Sequence, residues 1–504
     1  MTTSISNAEV NSLATERVET PAVGTRQSFS TRHTLASRFV FLILCVAVVL
    51  TALAFGTVHY WALALFSLGS AALVILWLID GWKLGRLRVS RNPLQLPLLG
   101  IVALGLMQLL PLRNPDTAGV LSISPVKTLS LDSYATRLVL VQVTALIIYF
   151  AATLVLTDTP YRLRLFVRTI IFFGFFLAIF GLTQSFTSPN KLYWFRELAQ
   201  STAFGPFINR HHFAGYMELT LALPLGLLFS GAVKPEMRFI YLFAGALMGI
   251  ALIMTGSRGG IISLVAEILF LVVVGGLRRK RKEFAEHEKP RRVRKAVTRA
   301  ALALVLIVGL FASVVLFGGE SALTRFVGTV NSDDPTTGRA HFWGVTLDII
   351  KAHPVLGTGL GAFGVVYTRY DSRNGLFRLE QAHNDYLQIL SDGGLVGAAL
   401  GLIFIIILFR TGFARRESVD DFRGGVALGA LAGCFAALVH SFFDFTLHTT
   451  SNALLFLTLA ALATMNGRVE QAKSHRRRKR RTNSSTPIRI GPSGLESDSL
   501  TQHR

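Results

Sequence analysis

The stretch "QAHNDYLQILSDGGLVGAALGLIFIIILF" (residues 381–409) changes character halfway along. Its first half carries His383, Asn384, Asp385 and Tyr386, whereas Gly393 to Phe409 holds no charged residue. An apolar run of that length is what a helix needs to cross a hydrocarbon core of about 30 Å. Similar blocks recur, among them "FVFLILCVAVVLTALAFG" (39–56) and "ALALVLIVGLFASVVLF" (301–317). Over 504 residues the composition is 51% hydrophobic and 16% charged, with a mean hydropathy of +0.50. Soluble domains carry about a quarter charged residues. The sequence therefore predicts an all-α polytopic membrane protein. A transmembrane β-barrel would show short alternating segments instead.

About twelve transmembrane helices are expected. They start near Phe39, Tyr60, Leu94, Leu138, Leu165, His212, Phe239, Gly260, Ala301, Gly393, Gly424 and Leu447. No cleavable signal peptide is evident, because the first apolar block is long enough to remain as a span. Cys45 and Cys434 fall inside spans, show no metal spacing and read as packing residues.

Charge sets the expected orientation, since Lys and Arg in short loops mark the cytoplasmic side. Lys83, Arg86, Arg88 and Arg91 follow span 2; the basic loop 278–299 follows span 8; Arg410, Arg415, Arg416 and Arg423 follow span 10. "HRRRKRR" (475–481) follows span 12. All four fall on one side if there are twelve spans and both termini are cytoplasmic. The net charge of +22 is then anchoring charge facing anionic lipid, and nucleic-acid binding is rejected. The expected organisation is a disordered N-terminus (1–37), spans 1–9 (38–318), a large extracytoplasmic loop with short amphipathic helices (319–392), spans 10–12 (393–466) and a disordered basic tail (467–504).

The opposite side gathers the chemistry. In "TGSRGG" (255–260), Arg258 is either a snorkelling arginine or an anion ligand beside the positive end of span 8, where Ser257, Gly259 and Gly260 would offer backbone N–H groups. In "GRAHFWGVTLDIIKAHP" (338–354), Trp343, Leu347 and Ile350 mark one face of an amphipathic helix, with Arg339 in its first turn. Gly359, Gly361 and Gly364 match G-x-G-x-x-G, but no βαβ unit surrounds them, so a nucleotide site is rejected in favour of tight turns or approach to a headgroup. His383 would start a short lip helix with Tyr386, Leu387 and Leu390 on one face, broken by Gly393 and Gly394. Its titration range suits a general base. In "HSFFDFTLH" (440–448), His440 and Asp444 are spaced i, i+4 and could touch, as support or as substrate contacts. No Asp-x-Asp, Walker A, zinc or Gly-x-Ser-x-Gly pattern is present, so metal-free chemistry is expected.

"HNDYLQILSDGGLVG" resembles the His-[Asn/Ser/Gln]-x9-Gly-x-x-Gly pattern of the O-antigen ligase and polymerase superfamily, through His383, Asn384, Gly394 and Gly397. "FGPFINRHHFAGYMEL", "GSRGG", "GRAHFWGVTLDIIKAHPVLGTGLGAF" and "HSFFDFTLH" are similar to its other blocks, in the same order, over about residues 200–460. The resemblance implies a bacterial inner-membrane glycosyltransferase with a large periplasmic loop and no cofactor. It would transfer a glycan from undecaprenyl diphosphate to lipid A core or another glycan acceptor. By motif, the two essential arginines and the histidine of such ligases correspond to Arg258, Arg339 and His383. The arginines would bind diphosphate and His383 would be the base, with inversion at the anomeric carbon. Arg210, His211, Asn384, Asp385, Tyr386, His440 and Asp444 are secondary candidates for substrate binding. A polymerase of the same superfamily is the nearest alternative. A lipid-linked glycan transporter or flippase, and a non-catalytic assembly protein, are alternatives of other classes; no internal repeat supports a transporter.

The orientation can be tested directly. Single cysteines placed at Thr337 and at Ser474 should react with an impermeant thiol reagent from opposite sides of the membrane. Same-side labelling would overturn the span count.

Overall fold

Thr34 starts the first helix: its hydroxyl accepts from the Ser37 N–H at 3.1 Å, and α1 runs Leu35–Leu53, a turn ahead of the expected start. The computed structural model describes residues 33–113, 127–188, 191–198, 202–276, 338–372, 379–418 and 420–465. The expected ninth span (301–317), the basic loop 278–299, residues 319–337 and the tail from 467 lie outside the described residues. The helices that follow are α2 (Tyr60–Lys83), α3 (Gln95–Gln108), α4 (Ser133–Leu156), α5 (Pro160–Thr187), α6 (Arg210–Ser230), α7 (Arg238–Met254) and α8 (Arg258–Gly276). After these come α9 (Arg339–Ala352), α10 (Phe363–Tyr370), α11 (Asp385–Arg416), α12 (Asp421–His440) and α13 (Thr450–Thr464). A two-residue hairpin, β1 (Lys191–Leu192) with β2 (Arg196–Glu197), lies between α5 and α6.

Among the described residues, nine helices are long and apolar enough to cross a membrane. The protein is an all-α polytopic membrane protein. α3 and α13 coincide with expected spans but have only 14 and 15 residues. At 1.5 Å per residue neither reaches across about 30 Å. Side chains close the starts of several helices, including Asp132, Thr159, Asn209, Asn384 and Asp420.

α6 and α12 form the centre, with 89% and 78% of their apolar stretches buried, against 22% for α2 at the rim. They touch through glycines: a Cβ added to Gly226 would lie 2.2 Å from the Gly429 Cα. Lipid tails offer helices no hydrophobic gain on association, so backbone approach of this kind is how they pack. Cys434, free and buried, sits in this core.

Two arginines expected to anchor on lipid are engaged inside the protein. Arg88 bridges Asp80 and Asp158, each at 2.8 Å, and Arg423, 2% exposed, donates to the carbonyls of Leu462 and Met465 at the end of α13. Asp158 and the α13 carbonyls lie far away in sequence, so the loop charge alone could not reveal them.

The break expected at Gly393–Gly394 is a kink inside one long helix: Gly394 has φ 60° and ψ −160°. A broken helix needs substitute hydrogen bonds. The glycine-rich segment supplies them, as Leu395 N–H donates to Pro354 O (2.8 Å), Thr358 N–H to Ser391 O (2.9 Å) and Gly359 N–H to Asp392 O (3.1 Å). The Gln108 amide at the end of α3 donates to the carbonyls of Leu356 and Asp392. The G-x-G-x-x-G match therefore marks tight turns wrapped around the α11 kink.

The amphipathic helix α9 is present, but its buried face is Val345, Thr346 and Ile349, and Leu347 is 47% exposed. Val345 and Ile349 join Phe363, Val366 and Tyr367 of α10 in a small separate core. That packing outcompetes the Trp343–Leu347–Ile350 stripe read from the sequence.

A side chain at position 394 meets two obstacles, a backbone conformation reserved for glycine and the Val355 carbonyl 2.3 Å from an added Cβ. Gly394→Ala should lower stability by about 1–3 kcal/mol or more, read as a drop in the unfolding temperature in detergent. Gly401→Ala, where the nearest atom is 3.6 Å away, should leave it unchanged. Equal melting of the two variants would contradict the role given to the kink.

Candidate active site

Four chain segments meet at one end of the bundle, and each is fixed by a local device. Asn209 caps α6, so Arg210 and His211 stand in its first turn. Gly256, with φ 65°, turns the chain between α7 and α8. The Ser257 hydroxyl then accepts from the Gly260 N–H at 3.2 Å, which makes Ser257 the cap of α8 and occupies one N–H that the sequence suggested would be open. Gly338 leads into α9, whose first residue is Arg339. The fourth segment joins α12 to α13 and carries Asp444.

Asp444 is the meeting point. It is 1% exposed. One carboxylate oxygen lies 3.2 Å from His383 Nδ1 and accepts from the Phe445 N–H at 2.9 Å. The other lies 3.4 Å from Arg339 Nη2 and 3.7 Å from His211 Nδ1. Burial alone would raise the Asp444 carboxyl, but the hydrogen bond from His383 and the surrounding imidazoles outweigh it and hold the group below the usual carboxylate range.

His383 is not in the lip helix. It precedes α11 with φ 50°, an uncommon conformation for a residue with a side chain. Its neighbours hold it there: Trp343 Nε1 donates to Ala382 O (3.1 Å), Ala382 N–H to Gln388 Oε1 (2.7 Å) and Asp385 N–H to Ser441 O (2.9 Å). The imidazole stands edge-on to Phe445, with centroids 4.8 Å apart, and near-parallel to Phe342 at 6.3 Å. With Nδ1 on Asp444, Nε2 is the nitrogen left for chemistry.

A cavity of about 320 Å³ opens beside Asp444. Arg210, Arg258, Arg339, His211, His440 and Asp444 all line it. Each of the three arginines is the first residue of its helix. Cations at the positive ends of helix dipoles are disfavoured by about 0.3–1 kcal/mol each. Among the described residues, three guanidiniums and one carboxylate, Asp444, line the cavity, a set of groups suited to an anion.

The other secondary candidates do not line this cavity. Asn384 caps α11 and donates to Phe442 O, the Asp385 carboxylate takes His448 Nδ1 (2.8 Å) and the Ser441 hydroxyl (2.7 Å), and Tyr386 donates to Leu438 O. These three sew the start of α11 to the α12–α13 connection. The side chains of His440 and Asp444 take different partners, Glu218 and His383, with α12 ending at His440. His440 turns to Glu218 on α6 (3.0 Å), a residue the sequence reading missed. An ionisable residue inside an apolar span was the available signal.

Residues 243–402 match the family model described as O-antigen ligase. Over 280 residues the chain is 25% identical to an O-antigen ligase of Pseudomonas aeruginosa. Part of the chain is therefore similar to the O-antigen ligase superfamily. The alignment covers 54% of the chain and spans 57% of the length of that curated relative. The O-antigen ligase match runs from α7 into the membrane part of α11, so it contains Arg258, Arg339 and His383, while Arg210, His440 and Asp444 join them only through the fold.

A carboxyl held below its usual range stabilises the folded state fully above about pH 4, and that contribution is lost as pH falls through the folded-state value. Asp444→Asn should therefore cost about 1.5–3 kcal/mol at pH 7, the scale of hydrogen bonds to a charged group. The gap between parent and variant, followed by thermal unfolding in detergent, should narrow below about pH 4. A gap that widens on acidification would rule out an ionised Asp444 as the hub.

Proposed function

We propose that the protein transfers a glycan from undecaprenyl diphosphate to an acceptor hydroxyl at the periplasmic face of the bacterial inner membrane, with both termini cytoplasmic. The observation that carries this reading is the cavity lined by three helix-starting arginines, joined through Asp444 to His383. The similarity to O-antigen ligases supports the glycan-transfer class, and the alternation of loop charge supports the orientation.

The donor diphosphate occupies the cavity, its lipid remaining in the bilayer. Arg258 and Arg339 hold the phosphate oxygens through charge-assisted bonds, with Arg210 and His211 at the same wall. His383, whose side chain is 27% exposed, receives the acceptor on its open edge. Nε2 takes the acceptor hydroxyl proton as the oxygen bonds to the anomeric carbon. The bond from that carbon to the diphosphate breaks and its electron pair leaves on the phosphate oxygen. The arginines stabilise that growing charge, and Asp444 stabilises the imidazolium through Nδ1, as the carboxylate does in a Ser-His-Asp triad. Attack opposite the leaving group inverts the anomeric centre. The guanidinium groups supply the positive charge that a metal would otherwise bring, so the reaction is expected to run in chelator, without cofactor.

Transfer by purified protein from an undecaprenyl-diphosphate glycan, with chelator present, tests this reading. His383→Ala should lose about 10²- to 10⁴-fold in rate while still inserting in the membrane. Arg258→Lys and Arg339→Lys keep the charge but lose the planar fork, and both should be strongly impaired. Full activity of His383→Ala, or activity that disappears with chelator, would refute the mechanism. The product separates a ligase, which extends lipid A core, from a polymerase, which lengthens a lipid-linked glycan.

A further inference from the structure

Behind the wall of the cavity lies an ion pair that the transfer mechanism leaves unused. Glu218, in the middle of α6, and His440, the last residue of α12, are both 0% exposed. His440 Nδ1 lies 3.0 Å from a Glu218 oxygen, and the same oxygen accepts from the Ser263 hydroxyl of α8. The other imidazole nitrogen, Nε2, is buried with no hydrogen-bond partner among the described residues. Buried polar groups almost always have a partner, and one without calls for an explanation.

The ring's position supplies one. His440 lines the cavity and packs on the first turn of α8. A Cβ added to Gly259 would come within 2.7 Å of His440 Cδ2 and 3.0 Å of Nε2. Glycine at 259 thus lets the imidazole sit against the backbone directly after Arg258. A carboxylate on one side and an anion on the other are the two neighbours that favour an imidazolium with a proton on each nitrogen. The Glu218 carboxylate is in place, and the cavity is built for the anion.

We infer that His440, held by Glu218, is a further ligand of the donor diphosphate, its Nε2–H donating to a phosphate oxygen beside Arg258. This rests on the diphosphate occupying the cavity. The dyad brings a hydrogen-bond donor of fixed direction from the core, whereas the arginines reach in from helix starts at the rim.

The test is binding of a polyprenyl diphosphate to full-length protein in detergent, measured by calorimetry. In His440→Gln the amide nitrogen falls near the place of Nε2, and in His440→Asn near that of Nδ1. His440→Gln should keep affinity near that of the parent, while His440→Asn, which retains the Glu218 contact but withdraws from the cavity, should lose on the order of 10-fold or more. A merely structural pairing with Glu218 predicts the reverse order, and that order, or parental binding by both, would overturn the inference. Glu218→Gln decides the matter should His440→Asn not fold. Weakened binding supports the dyad and parental affinity refutes it. Arg258→Ala serves as the reference: its parental binding would remove the diphosphate from the cavity and with it the basis of both readings, whereas weakened binding there with parental His440→Asn would sink the dyad alone.

Discussion

Asp444 joins four segments that are far apart in the chain. A buried carboxylate without partners would be costly, so the segments carrying His383, Arg339 and His211 are held wherever the Asp444 oxygens are. Its two oxygens divide the work: one fixes the imidazole and thereby frees Nε2, and the other orders a guanidinium on the cavity wall. The proposed base and the proposed anion site are therefore coupled through one carboxylate. Neither can be displaced without disturbing the other.

The second constraint is the α11 kink. Opening a helix inside a membrane protein leaves backbone groups that water cannot reach. Residues 354–361 and Gln108 satisfy them, which pins the glycine-rich segment to α11 and places α9 immediately before it. Arg339 at the start of α9 and His383 before α11 are thus referenced to the same rigid point. The positive φ of His383 persists because the bonds of Ala382, Asn384 and Asp385 on either side determine it.

Much of this was legible in the sequence, and the failures share a cause. Among the described residues, nine of the expected spans are helices of crossing length near where hydropathy put them, because lipid imposes length and composition on any crossing helix, while α3 and α13 are apolar but too short. Arg258, Arg339 and His383 stand out by motif; the two arginines line one cavity, and His383, which does not line it, is tied to it through Asp444. What a linear reading missed was which side chain each residue faces. Asn384, Asp385 and Tyr386 stood next to the histidine and were grouped with it, yet they serve the helix cap and the loop behind it. His440 and Asp444 looked like a pair until the helix ended between them. Arg88 and Arg423 looked like lipid anchors because a loop's charge does not show its partners, of which Asp158 and Leu462 lie 70 and 39 residues away. The buried face of α9 is set by α10, whose position no periodicity contains.

The placement of the arginines explains why such a site can exist at a membrane boundary at all. Arg210, Arg258 and Arg339 each occupy the first position of a helix, where the backbone dipole already presents positive charge. Stability alone would favour carboxylates there. Among the described residues that line the cavity, Asp444 is the one carboxylate beside these guanidiniums. Guanidiniums and positive helix ends gathered on one wall suit an anion, most of all one whose negative charge grows during reaction. On the proposed reading a lipid-linked diphosphate would meet that description: its headgroup would arrive where the helix starts emerge and its charge would increase as the glycan departs, so the same arrangement of arginines would favour the transition state over the bound donor.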